Sequence, residues 1–254
     1  MKRWLIAFLA VGLLVSGPWT LASADDGKDK EKGKLQAVPF AFIGNAGDCG
    51  TGYAAGSHIV TAAWLGGMGL PDNGGANTTA SDLGTNPNKN DPHLGLLLSK
   101  NGPTPDCSAA GATIKGVKGM IVSAGFQLGF DYRNGGHCGA GAPRYNVVVK
   151  PPSGPNTFHF VGGCANSTQS PAPQDPTEWT QVRFDTTSAT QSFPPIPPGS
   201  VIVSIDMIFD EGTDTANNDT EGVGLAVVDN IFIDPQFITS GKGIEDGTKR
   251  KGDD

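Results

Sequence analysis

The chain has 254 residues, of which 37 are Gly and 19 Pro; 17% are charged, 7% are aromatic, and the formal net charge is −7. Gly and Pro together approach twice the roughly 12% of an average protein, and the Gly follows no G-X-Y period, so helical bundles, coiled coils, collagen and long acidic disordered chains are excluded. The negative charge, with no basic stripe to offset it, argues against nucleic acid and anionic lipid as partners.

Lys2 and Arg3 precede an apolar run over 4–15, and Ala22-Ser23-Ala24 is a small-x-small cleavage signature. These features predict a signal peptide over 1–24 and a protein that is secreted to an extracellular, periplasmic or cell-surface location. The apolar run falls short of the ~20 residues that span a bilayer, and no later run is longer, so no membrane span is expected after cleavage. The stretches 25–34 and 238–254 are charged and nearly free of apolar residues. They are expected to be a flexible linker and a flexible tail around one domain over 35–237.

Strand-like runs follow at 35–43, 58–64, 94–99, 120–132, 144–150, 157–161, 179–185, 200–209 and 223–233. Turn signals such as Asn73-Gly74, Asn134-Gly135-Gly136 and the Pro-rich 194–198 separate them. Segment 65–92, mostly Gly, Asn, Asp, Thr and Pro, is expected to be a long surface loop. Segment 111–118 is expected to carry a turn of helix at most. Within 120–132, Met120, Val122, Ala124, Phe126, Leu128 and Phe130 alternate with Ser123, Gln127 and Asp131. In 179–185, Val182 and Phe184 oppose Gln181, Arg183 and Asp185. In 201–209, Val201, Val203, Ile205, Met207 and Phe209 share a face. Period-two alternation with one apolar face predicts antiparallel strands in two stacked sheets, an all-β sandwich with long loops.

Four Cys follow the export signal. The turn 151–156 folds 145–150 and 157–161 into a hairpin whose open end carries Cys138 and Cys164, which predicts a Cys138–Cys164 disulfide and, by elimination, Cys49–Cys107.

The last apolar run ends in Asp229-Asn230-Ile231-Phe232-Ile233. That ending resembles the closing strand of jelly-roll carbohydrate-binding modules and galactose-binding-like domains, and 179–185 and 202–209 are similar to earlier strands of that family. The resemblance covers roughly 125–234. It implies a jelly-roll sandwich, binding of a glycan and often one structural calcium.

Two groups of residues are candidates for a site. The acidic loop 210–222 offers Asp210, Glu211, Asp214, Asp219 and Glu221, an oxygen-rich set of the kind Ca²⁺ requires, without EF-hand spacing. Gln127, Asp131, Arg144, Asn146, His159, Arg183 and Asp206 would line one polar surface if their strands pair on one face. Arg beside carboxylate there suits sugar hydroxyls or a carboxylated ligand. No G-x-S-x-G, H-E-x-x-H or P-loop is present, and His58, His93, His137 and His159 are scattered, so no catalytic residue is assigned. The expectation is a secreted, non-catalytic sandwich that binds a glycan or another polar extracellular ligand. The alternatives are a structural envelope or matrix protein without a small ligand, and a glycan-active hydrolase or lyase drawing on Glu178, Asp206 and Asp210.

Overall fold

A computed structural model describes residues 34–57, 59–70, 93–214 and 222–241, with the backbone of 244–246. The expected signal peptide, nearly all of the linker, most of the 65–92 loop, and Asp219 and Glu221 lie outside these residues. The chain forms β1 (Gln36–Ile43), β2 (Ala54–Ala55), β3 (Val60–Gly66), β4 (Leu94–Lys100), β5 (Asp106–Lys115), β6 (Gln127–Arg133), β7 (Arg144–Lys150), β8 (Thr157–Gly162), β9 (Thr168–Pro171), β10 (Trp179–Asp185), β11 (Ser192–Phe193), β12 (Val201–Phe209), β13 (Leu225–Ile233), β14 (Gln236–Ile238) and β15 (Ile244–Asp246). Helix among the described residues is limited to a three-residue 3₁₀ turn, Cys164–Asn166.

Two sheets form the expected sandwich. The first has seven strands in the order β1-β5-β12-β7-β8-β11 with β2 beside β5. The second has eight in the order β15-β3-β4-β13-β6-β10-β9 with β14 beside β13. Every pairing is antiparallel except β2 with β5. Consecutive strands repeatedly cross from one sheet to the other, as from β5 to β6, β6 to β7 and β12 to β13, which is a jelly-roll type of connection.

Three elements depart from the expected ones. Segment 111–118 is not helical: its first half is the end of β5, an interior strand of the seven-stranded sheet. Gly111 lies there because a Cβ would strike the Phe40 ring and the Met207 carbonyl. The 120–132 run splits, since Phe126 N–H turns back to the Ser123 carbonyl and β6 begins only at Gln127. In β12 a bulge between Ile202 and Ser204 inserts Val203 as an extra residue. The inward set is therefore Ile202, Ile205, Met207 and Phe209 rather than one unbroken alternation.

The core lies between the sheets. Tyr145 of β7 and Phe130 and Phe184 of the opposite sheet are fully buried there, with ring centroids 6.0 to 6.4 Å apart. The Tyr145 hydroxyl donates to the Gly129 carbonyl at 2.6 Å and so ties one sheet to the other. Burial pushes the ionisation of this phenol upward, which keeps it a neutral donor. Disulfides Cys49–Cys107 and Cys138–Cys164 are both formed, as expected. Each closes a loop long enough to be worth roughly 3 to 4 kcal/mol on the chain-entropy account. No helix of the described residues is long and apolar enough to cross a membrane.

Removing the inter-sheet bond by Tyr145→Phe is expected to cost about 1–2 kcal/mol. A urea titration would read this as a lower midpoint at unchanged slope.

Candidate functional site

Residues directly opposed in an antiparallel pair share a face. The register therefore aligns Phe193, Phe160, Asn146, Asp206, Thr113 and Val38 in one row on the outer face of the seven-stranded sheet. The row crosses β11, β8, β7, β12, β5 and β1, a span of about 24 Å at ordinary strand spacing. At its centre the Thr113 hydroxyl donates to Asp206 Oδ1 at 2.7 Å. Burial raises the Asp206 carboxyl above the usual range, partly offset by that bond and by Lys115. The adjacent row carries Arg144, Ile208, Gly111 and Phe40. Arg144 grips Asp210 with both terminal nitrogens, Nη2 lying 2.6 Å from Oδ2, and its guanidinium carbon sits 4.9 Å over the Phe160 ring. Phe158 and Phe193 are 55% and 43% exposed, and the Phe160 and Phe193 ring centroids are 6.4 Å apart.

The seven polar candidates do not share a surface. Arg144, Asn146 and Asp206 stand together on this face. Gln127, Asp131 and Arg183 belong to β6 and β10, on the outer face of the other sheet. His159 opposes Val147 on the inner side, 2% exposed, its ring held by the Thr157 hydroxyl at 2.8 Å and the Pro194 carbonyl at 2.7 Å. Alternation shows which residues of one strand face together. It does not show which sheet the strand joins. Thr113, Phe158, Phe160 and Phe193 complete the face and were not among the candidates.

The outer face of the eight-stranded sheet is built around β13. Asp229 opposes Asp131 of β6, and the register then slips between Asp229 and Phe232. The extra residue is Asn230, whose φ of 46° is left-handed, a region Asn tolerates better than most side chains. Asn230 Nδ2 donates to Asp131 Oδ2 at 2.8 Å and also to Gln174 Oε1, while its backbone N–H donates to Asp229 Oδ1 at 2.6 Å. Arg183 Nη1 reaches Asp131 at 3.3 Å, with its guanidinium 4.8 Å above Phe232 and 5.7 Å from Phe237. Both carboxylates are buried, Asp131 at 1% and Asp229 at 3% exposure. Burial, with a contribution from the Asp131 charge, pushes Asp229 up to about 7 against two backbone hydrogen bonds that pull it down. Burial likewise raises Asp131, opposed by Asn230 and Arg183. A second small apolar cluster, Leu70, Ala172, Trp179 and Val227 with Met68 and Leu97, covers the neighbouring part of this face. The Asp-Asn-Ile ending of β13, which the sequence offered only as a closing-strand resemblance, carries this bulge, since Asn is suited to the position.

The acidic loop is engaged by the protein itself. Asp210 holds Arg144. Glu211 Oε2 lies 2.6 Å from His137 Nε2 and accepts the Ala142 N–H at 3.0 Å. Asp214 Oδ1 accepts the Thr104 N–H at 2.6 Å and its hydroxyl at 2.7 Å, and these bonds hold the Asp214 carboxyl below the usual range. Lys100, fully buried beside Asp106 at 3.0 Å, donates to the Asp210 carbonyl at 2.9 Å and anchors the start of the loop. Asp210, Glu211 and Asp214 thus each have a different partner within the protein, and Asp219 and Glu221, the other two of the set, lie outside the described residues. Among the described residues no group of three or more His, Cys, Asp or Glu converges as a metal site.

An ion would have to compete with those donors. Adding millimolar calcium, or a chelator, is therefore expected to move the unfolding midpoint by less than about 1 °C; a rise of several degrees with calcium would reverse this assignment. Neither a family model, nor a curated protein, nor a solved structure matches the chain.

Proposed function

We propose that the chain is an exported, non-catalytic binding protein that takes a glycan on the outer face of the seven-stranded sheet, in the manner of the jelly-roll carbohydrate-binding modules its C-terminal half resembles. The observation that carries this reading is the row of Phe193, Phe160, Asn146, Asp206 and Thr113. A sugar presents apolar C–H faces beside hydroxyl groups. Half-exposed rings at one end of the row suit the first, and an amide, a carboxylate and a hydroxyl at its centre suit the second. Arg144 is matched by Asp210 and Asp206 lies near Lys115, so this part of the face is close to neutral and suits an uncharged ligand better than an ionic one. The net charge of −7 further disfavours polyanions.

Export rests on the predicted signal peptide over 1–24. The two disulfides agree with an oxidising destination. A hydrolase or lyase reading is weaker, because its carboxylates do not converge. Glu178 precedes β10 in the other sheet and faces Arg133 at 3.8 Å, while Asp210 is held by Arg144.

A glycan array probed with the protein is expected to show binding to at least one neutral polysaccharide. Asn146→Ala, and the double variant Phe158→Ala with Phe193→Ala, should each weaken that binding by about tenfold or more, in the range of lost interface anchors. The Phe positions are exposed enough that the double variant should keep its fold by circular dichroism. Absence of binding to any glycan, or binding that both variants leave unchanged, would favour a structural envelope role.

A further inference from the structure

Residues 67–70 form a strap across the outer face of the eight-stranded sheet, on the opposite side of the sandwich from the proposed glycan face. The Gly67 and Gly69 N–H groups donate to the His93 carbonyl at 2.9 and 3.2 Å, and the Leu70 N–H donates to Asp229 Oδ2 at 2.9 Å. The contact is too close for side chains at two positions: a Cβ on Gly69 would meet the Leu94 backbone and Asp229, and one on Gly95 would meet the Met68 backbone. Met68 and Leu70 pack with Leu97, Ala172, Val227 and Trp179. Trp179 is fully buried, and its indole Nε1 has no hydrogen-bond partner among the described residues.

The strap's hydrogen bond falls on Asp229; opposite Asp229 on β6 stands a second carboxylate, Asp131, which one guanidinium, Arg183, reaches. Neutral polar groups also meet the pair: Asn230, Gln174, Gln181 and the Leu70 N–H. β4 contributes Leu97 and Gly95, and His93, whose carbonyl holds the strap, is the other titratable residue beside it. We propose that the strap is a pH-operated cover, closed while the Asp131–Asp229 pair keeps one proton and lifted when both carboxylates are charged, uncovering Trp179 and the polar face beneath it.

Burial of the Asp229 carboxylate drives the switch, and the facing Asp131 charge adds to it. With both groups ionised, two buried negative charges face one positive charge, and lifting the strap returns Asp229 to water at the loss of the Leu70 hydrogen bond, the two bonds to the His93 carbonyl and a small apolar cluster. Asp131 has the Arg183 contact, so Asp229 is the group that keeps the proton. The closed form binds more protons than the open form between about pH 4, the ordinary carboxylate range, and about 7, where Asp229 titrates when covered. Closure is therefore fully favoured at the acid end, weakens as pH rises through that window, and levels off above it. Each unit of difference is tenfold in the open-to-closed ratio.

The test is acrylamide quenching of Trp179, taken as the difference between the protein and its Trp179→Phe variant, together with amide exchange of residues 67–70, from about pH 5 to about pH 9. Both are expected to rise by roughly threefold or more through a midpoint near 7, with exchange in β7 and β12 unchanged after correction for intrinsic rates. Asp229→Asn should hold the strap closed across the range. Asp131→Asn, which removes the facing charge and leaves the burial of Asp229, should move the rise to lower pH and serves as the readout if the first variant does not fold. Quenching and exchange that ignore pH, a rise that persists in Asp229→Asn, a rise left unshifted in Asp131→Asn, or a loss of protection shared equally by β7 and β12 would overturn the proposal.

Discussion

The organisation of the eight-stranded sheet depends on one surplus residue in its central strand. Asn230 takes a left-handed turn in β13, and the strand's inward set continues out of step beyond it: Val228 and Ile231 both enter the core, three positions apart. Without the slip, Ile231 and Ile233 would face outward and Phe232 inward, because a one-residue shift inverts every side chain that follows. The bulge brings polar demands with it. Its amide is met by Asp131 and Gln174, Asp131 by Arg183, and Arg183 in turn lies over Gly129, where a Cβ would collide with its side chain. A core requirement in one strand thus fixes the chemistry of the opposite face across two others, β6 and β10.

The two outer faces are finished differently. On the eight-stranded sheet the chain returns over its own surface, and the strap and Ala172 seal Trp179 and Val227 into a second small core. On the seven-stranded sheet Val38, Phe158 and Phe193 are left between 39% and 55% exposed. Apolar side chains on a sheet surface are usually either covered or used. On the eight-stranded sheet Phe237 and Leu225 also stay exposed, at 54% and 38%, so the strap covers only part of that face.

Legibility in the sequence followed the regularity of the strands. β7 and β10 were readable to the residue, because nothing interrupts their alternation. β5 was not, since Asp106-Cys107-Ser108-Ala109-Ala110-Gly111-Ala112 offers little contrast in size or polarity. Its small residues answer to close packing under Phe40 and against Met207, a tertiary demand invisible locally. The 120–132 run looked longer than β6 because Val122 and Phe126 still point inward while the backbone between them turns. Cysteine pairing was legible because the β7–β8 hairpin joins Cys138 and Cys164 through local geometry. The polar candidates were chosen with the right sense of alternation, but they were assigned to one surface although Asp131 and Arg183 belong to one sheet and Asn146 and Asp206 to the other. Sheet membership is decided by long-range pairing.

That partition also separates the charges by function. On the open face each ionised group near the row has a local match, Arg144 with Asp210 and Asp206 with the Thr113 hydroxyl and nearby Lys115. Such a face can offer donors and acceptors to a neutral ligand without first shedding a counter-charge, and its exposed rings supply area that needs no rearrangement. On the covered face the count is uneven, two carboxylates to one guanidinium, and burial makes the imbalance felt. The same residue types therefore stand paired and solvated on one face, and buried in uneven number beside the strap on the other.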